Sequence, residues 1–282
     1  MMQTAKFTLW TLIFYIIHLT LAKTTNGFLQ SRIFGGIEAT STRYPYFTVV
    51  KALYFIGAER YTNYCGGTLI AENIVMTAAQ CLDYSYPVIQ VEFNSFSNSD
   101  DNIEVYNAVD WVLHENYVKE QRNVRNDIAL IYLDENDLPK ADPVELYFDG
   151  RPDEDDLVTI VGFGSTEHGD GFQFKELFLR LIKSRICRGL FGGMLNTNLQ
   201  FCTDESGKAA CRGDSGGPAV LQGNDPSFDI QVGIISFGSA ECSTGSTVYS
   251  RVSGYETWIK QEVCIRERHP HWCNGTEMVD LR

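Results

Sequence analysis

The chain has 282 residues, of which 44% are apolar, and this composition excludes a disordered or fibrous protein. The 23 Lys and Arg residues against 36 Asp and Glu residues give a net charge of −13, which argues against nucleic acid as a partner. The densest acidic run, residues 149–156, is typical of a solvated loop between domains. A calcium site is the alternative for this run, although its spacing lacks the EF-hand pattern.

The N-terminus predicts a secretory signal peptide over residues 1–22. Lys6 precedes an apolar run, residues 9–22, that is too short for a comfortable membrane span. An uncleaved anchor helix is the alternative, but the chain becomes polar immediately, at Lys23. No later stretch has the length and apolarity of a membrane span. We therefore expect a secreted, extracellular protein.

All eight cysteines lie downstream of the predicted signal peptide. An even number of cysteines in an oxidising compartment predicts four disulfides. The sequence has no Cys-x-x-Cys pair and no Cys/His cluster with zinc spacing, so we expect no metal and no other cofactor. Spacing alone leaves about 105 possible connectivities for eight cysteines.

Arg32 is followed by Ile33-Phe34-Gly35-Gly36. This junction resembles the activation site of the chymotrypsin/trypsin family of serine proteases, in which cleavage after a basic residue frees an apolar N-terminus. The resemblance implies that residues 23–32 are a propeptide released by cleavage after Arg32. The new ammonium group of Ile33 can be buried only beside a carboxylate, and Asp214 is the expected partner.

From Tyr44 onward, short runs alternate apolar and polar residues between Gly, Asn and Asp, a pattern that predicts antiparallel strands. Residues 64–81 are similar to the first barrel of the same family. The resemblance implies an all-β fold with two six-stranded antiparallel β-barrels packed at a cleft, and a C-terminal α-helix over residues 255–263. The protease-like domain is expected to span residues 33–265, with the barrel boundary near 145–157 and a tail over 266–282.

The family pattern fails at one position. Thr77-Ala78-Ala79-Gln80-Cys81 has glutamine where the family has its catalytic histidine. Asn126-Asp127-Ile128-Ala129-Leu130 matches the motif whose aspartate orients that histidine, so Asp127 lacks its usual partner. A strand-end aspartate that caps a turn is the alternative for Asp127.

Gly213-Asp214-Ser215-Gly216-Gly217-Pro218 resembles the family's nucleophile loop. The resemblance implies that Ser215 is the nucleophile and that the amides of Gly213 and Ser215 form an oxyanion hole. A glycine-rich surface turn is the alternative. Three further residues resemble the strand that pairs with a substrate backbone: Ser236, Phe237 and Gly238.

The specificity pocket is implied to lie at Ala209, Gly238 and Thr247, with a preference for a small or medium apolar side chain. The resemblance also implies three disulfides, Cys65–Cys81, Cys187–Cys202 and Cys211–Cys242, which leaves Cys264 and Cys273 as the fourth pair. Asn274-Gly275-Thr276 is a glycosylation sequon.

Peptide hydrolysis by a serine needs a base, and a glutamine amide has no proton-accepting centre near neutral pH. Gln80 can instead donate to Asp127 through its amino group and accept from Ser215 through its carbonyl. Loss of the histidine from a comparable triad lowers turnover by about 10⁶, or roughly 8 kcal/mol. The motifs place none of the remaining histidines at the cleft: His114, His168, His269 and His271.

The sequence therefore predicts a secreted serine protease homologue that is catalytically inactive and acts by binding a protein or peptide. The alternative is an active serine endopeptidase that cleaves after small or medium apolar residues, either through an unorthodox base or because Gln80 is a variant of a histidine-bearing parent. A purely structural glycoprotein with a relic site is the third hypothesis.

Overall fold

The computed structural model describes residues 33–40, 42–84, 88–95, 102–120, 123–150, 152–164, 173–239, 241–265 and 270–273. The predicted signal peptide, the propeptide with Arg32, and Asn274 lie outside the described residues. The strands are, in chain order, β1 (Ile37–Glu38), β2 (Phe47–Ile56), β3 (Glu59–Ala71), β4 (Ile74–Thr77), β5 (Val88–Phe93), β6 (Glu104–Leu113), β7 (Val118–Glu120), β8 (Asn123–Arg125), β9 (Ala129–Leu133), β10 (Glu145–Leu146), β11 (Leu157–Gly164), β12 (Gln173–Arg180), β13 (Gln200–Asp204), β14 (Pro218–Leu221), β15 (Ile230–Gly238) and β16 (Ser246–Arg251), and the helices are α1 (Ser184–Leu190) and α2 (Glu256–Val263).

The first half of the chain forms a closed antiparallel barrel in the order β2-β3-β4-β9-β6-β5. The alternating apolar residues of these strands point into its interior, where β4 and β9 are buried along their whole length. Between β6 and β9 the chain makes a separate two-stranded ribbon, β7-β8. The predicted first six-stranded barrel is therefore confirmed.

The second half forms a curled sheet in the order β1-β12-β11-β14-β15-β16-β13, and β10 adds a short parallel pairing to β15. Directly after β12, Leu181 makes a single bridge to Thr203 in β13, so that the β12 and β13 sides of the sheet approach each other. The chain enters α1 at Ser184, before a longer ladder can form between these sides. The predicted fold class is confirmed, with a second barrel that closes less completely than the first.

Helix α2 confirms the predicted C-terminal helix, beginning one residue later than expected. It buries Trp258, Ile259 and Val263. Helix α1 was not predicted, because only Cys187 of its seven residues is buried and the segment has no apolar helical stripe. No helix in the described part of the chain is long and apolar enough to cross a membrane.

Four disulfides join the cysteine pairs expected from the sequence: Cys65–Cys81, Cys187–Cys202, Cys211–Cys242 and Cys264–Cys273. Two of them hold elements that approach the cleft. Cys65–Cys81 fixes the turn after β4 to β3, and Cys211–Cys242 fixes the loop before β14 to the segment between β15 and β16.

The two barrels are joined by a buried ionic contact. Arg43, just before β2, donates to both carboxylate oxygens of Asp229, just before β15, at 2.5 and 2.7 Å. Asp229 is completely buried and also accepts from the Tyr46 hydroxyl at 2.5 Å and from the Gly223 amide at 2.8 Å. These donors satisfy a buried charge, which would otherwise be strongly destabilising, and tie the two barrels together.

Candidate active site

Gln80 and Asp127 meet on the first-barrel side of the cleft. Gln80 lies in the 3-10 turn Ala79–Cys81 that follows β4, and Asp127 lies two residues before β9. The backbone amide of Gln80 donates to Asp127 Oδ1 and the side-chain Nε2 donates to Asp127 Oδ2, each at 2.9 Å. The structure thus contains the hydrogen bond expected between the glutamine amino group and Asp127.

Asp127 is a buried carboxylate held by neutral donors. Its side chain is completely buried, and besides Gln80 it accepts from the Ser236 hydroxyl at 2.5 Å. Burial raises the pKa of Asp127 above its ordinary value, and these hydrogen bonds, with a weak attraction from Lys119, reverse only part of that shift. The side chain that faces Asp127 is therefore a neutral amide, which brings no positive charge to this carboxylate.

Ser215 is half-buried at the start of the loop that leads to β14. Its Oγ donates to the carbonyl of Ser236 at 3.3 Å. Among the described residues no hydrogen bond joins Ser215 to Gln80, so the expected bond to the glutamine carbonyl is wrong. The Ser236 carbonyl accepts from Gln80 Nε2 as well, so it connects the two side chains.

The loop around Ser215 leaves two backbone amides open. Asp214, Gly216 and Gly217 donate to the carbonyls of Cys211, Ile235 and Asp214 at 3.1, 2.8 and 2.9 Å. Gly213 has φ of +93°, a conformation that favours glycine. Within the described residues, the amides of Gly213 and Ser215 have no acceptor, which suits them to receive an oxygen atom from a ligand.

The first described residues enter the second barrel beside this loop. Ile33 is completely buried, and its backbone nitrogen donates to Asp214 Oδ2, which also accepts from the Cys211 amide at 2.9 Å. Phe34 pairs with Ala209 through backbone hydrogen bonds of 2.8 and 3.2 Å. The expected proximity of Ile33 and Asp214 is therefore present in the structure.

A cavity of about 230 Å³ opens beside Ser215. Gly238 and Thr247, two of the positions assigned to the pocket from the sequence, are cross-strand partners and both line this cavity. Thr247 Oγ1 accepts from the Ala210 amide at 3.2 Å, so this hydrogen bond holds the threonine side chain in the wall of the cavity. Ala209 is buried and does not line the cavity, whereas Ala210 and Arg212 do. Neither was assigned to the site from the sequence, although both lie between Ala209 and Ser215 in the chain.

The described histidines lie away from this cavity. His114 stacks on Trp258 at 5.2 Å and meets the edge of Tyr255 at 5.5 Å, and burial lowers the pKa of its imidazole. His271 pairs with Glu145 at 3.6 Å. His168 and His269 lie outside the described residues. In the described part of the chain, no group of three or more His, Cys, Asp or Glu side chains is arranged to hold a metal ion.

Comparisons with known proteins agree with this architecture. A family model described as Trypsin matches residues 33–259. Chymotrypsin from Phaedon cochleariae is 30% identical over 245 residues, which cover 81% of each chain. CLIP domain-containing serine protease B15 from Anopheles gambiae is 30% identical over 268 residues, or 86% of this chain and 72% of the relative. A solved structure titled HL collagenase has 26% identity and a TM-score of 0.67, with 82% of this chain and 98% of that one covered.

Proposed function

This chain belongs to the trypsin family, and on that premise we propose that it is a secreted protease homologue that has lost peptide hydrolysis and acts by binding a protein or peptide in its cleft. The observation that carries the proposal is Gln80, which occupies the position of the general base and donates to Asp127. Without a base, the Ser215 hydroxyl keeps its proton and remains a weak nucleophile. Removal of the base from such a triad lowers turnover by about 10⁶, or roughly 8 kcal/mol.

The binding half of the site supports a role in recognition. The amides of Gly213 and Ser215 remain open to a ligand among the described residues, and Ser236, Phe237 and Gly238 form the end of β15 at the cavity. An extended segment can pair with such a strand through its backbone while one side chain enters the cavity. The small space beside Thr247 favours a small or medium apolar side chain.

Secretion and processing belong to the same proposal. The signal-like N-terminus and the four disulfides favour an extracellular location. Cleavage after Arg32 would give Ile33 a free ammonium group beside the buried Asp214 carboxylate. We expect this ion pair to order the loop around Ser215, because a buried charge pair restricts the residues on both sides of it.

The test uses the protein secreted from cells, with its N-terminus determined by mass spectrometry. It is incubated, before and after cleavage at Arg32, with a fluorophosphonate and with peptide esters that carry small apolar side chains. We expect no turnover above a Ser215→Ala control, together with saturable binding of peptides that carry the same side chains. Stoichiometric labelling with turnover would instead establish the second candidate, an active endopeptidase with this specificity, which the retained serine and open amides favour.

A further inference from the structure

The Ser236 carbonyl in the cleft already accepts hydrogen bonds from the protein's own donors. The Ser236 carbonyl accepts from Gln80 Nε2 and from Ser215 Oγ. A carbonyl oxygen has two lone pairs, and both are engaged here. The backbone N–H of a peptide residue at this position, internal or terminal, would have to displace one of these donors, so affinity has to come from other groups of the cleft.

The donor side of the cleft is open. Neither the Gly213 amide nor the Ser215 amide has an acceptor among the described residues, and two open amides on either side of one residue in a turn can donate to the same ligand oxygen. Of the described residues that line the adjoining cavity, Arg212 is the one with a charged side chain. A protein with a net charge of −13 thus presents a positive group at its cleft.

We propose that the cleft binds the free C-terminal carboxylate of a peptide or protein, rather than an internal peptide bond. This inference rests on the proposed binding function and specifies the class of ligand. One carboxylate oxygen accepts from the amides of Gly213 and Ser215, and the other lies toward the Arg212 side of the cavity. Hydrogen bonds to an ionised acceptor are roughly twice as strong as those between neutral groups, which favours a carboxylate over a carbonyl.

The cavity also limits the last side chain of the ligand. Thr247 is buried and its hydroxyl is tied to the Ala210 amide, so the methyl group and the hydroxyl both remain at the base. The cavity has a volume of about 230 Å³, and the Thr247 side chain takes up part of the space in its wall. We therefore expect a terminal alanine or valine to be preferred over an aromatic residue.

Asp127 opposes this binding, because its carboxylate lies behind Gln80 and would repel a second negative charge. Both protons of Gln80 Nε2 are already engaged, one by Asp127 and one by the Ser236 carbonyl. The attraction for a carboxylate must therefore come from the Gly213 and Ser215 amides and from Arg212. Arg212 is exposed, so its replacement should leave the fold intact.

The experiment compares three N-acetylated peptides that end in the same valine: a free acid, a C-terminal amide, and an amide that carries one glutamate at its first residue. Affinities are measured by calorimetry on the secreted protein, before and after cleavage at Arg32. We expect the free acid to bind about tenfold more tightly than either amide. Arg212→Ala should reduce this preference to about threefold, whereas Arg212→Lys should retain most of it.

The outcomes separate the two proposals. If the glutamate-bearing amide binds as tightly as the acid, total charge explains the preference and the carboxylate inference is wrong. Equal binding of all three peptides also overturns the inference, while the binding function survives. If none of the three binds to either form of the protein, both the inference and the proposed function fail.

Discussion

The two barrels contribute unequal halves of the candidate site. The second barrel supplies Asp214, Ser215 and the end of β15, and these residues are tied to the interior by contacts such as that of Ile33 with Asp214. The first barrel supplies Gln80, whose side chain reaches the cleft from a turn that is held by the hydrogen bond of its backbone amide to Asp127. The side chain at position 80 can therefore differ without cost to the fold, whereas the second-barrel residues of the site also stabilise the structure.

Replacement of Gln80 by histidine is the strongest test of this difference. If the second-barrel half is intact, Gln80→His should raise kcat/KM for a small apolar peptide ester by about 10⁴ or more, because it supplies the missing base. The measurement is ester hydrolysis after cleavage at Arg32. The double variant Gln80→His/Ser215→Ala is the control and should remain inactive. If Gln80→His remains inactive, the half of the site that the second barrel supplies is impaired as well.

The connection between the barrels can be broken at Arg43. Arg43→Met leaves the buried Asp229 carboxylate without its cation and should lower the free energy of unfolding by about 3–5 kcal/mol. Urea unfolding gives this value. Lys140→Met is the matched control, because Lys140 is 86% exposed in its ion pair with Glu104 and should contribute under about 1 kcal/mol. Equal effects of the two substitutions would argue against a structural role for the Arg43 contact.

A change confined to the second barrel should alter specificity and not chemistry. Thr247→Gly enlarges the base of the cavity and should shift the preference of bound peptides toward a large apolar side chain by about tenfold. The measurement is the ratio of affinities for peptides that differ only in Phe or Ala at this position. An unchanged ratio in a folded variant would show that the side chain enters elsewhere.

The smallest expected effect concerns the pH dependence of stability on the first-barrel side. Burial raises the pKa of Asp127, so between its unfolded pKa of about 3.9 and the higher folded value the native state holds the proton more strongly. The contribution of Asp127 to stability therefore decreases as pH rises through this window. Asp127→Asn cannot titrate and lacks this slope.

Urea unfolding of both proteins between pH 3.5 and 7 tests this expectation. The unfolding free energy of the variant minus that of the wild type should grow with pH, by about 1.4 kcal/mol for each unit of pKa shift. Hydrogen bonds lost in the variant change only a constant offset. A difference that is flat or decreases with pH would mean that folding does not raise the pKa of Asp127.

The fold was predictable because the strand pattern and the motifs that carry the family resemblance each lie within a short segment. The cysteine pairs were predictable only through that resemblance, because their spacing alone leaves many connectivities open. The same motifs located Gln80 and Asp127, which lie 47 positions apart and do meet. The hydrogen bond from Gln80 to Ser236 spans 156 positions, and no local pattern encodes which donor a carbonyl accepts. Arg43 and Asp229, 186 positions apart, were missed for the same reason.

The nucleophile loop, residues 213–218, packs against the first barrel at glycines, where there is no side chain between the two backbones. A Cβ atom on Gly66 would lie 2.6 Å from the Cα of Gly217, and one on Gly216 would lie 2.2 Å from Thr77 Oγ1. These glycines are required for the two barrels to meet, whatever Ser215 does. The backbone shape around Ser215 is therefore a requirement of the fold and does not depend on hydrolysis. Because Gln and His codons differ by one nucleotide, a single mutation is enough to place a histidine at position 80.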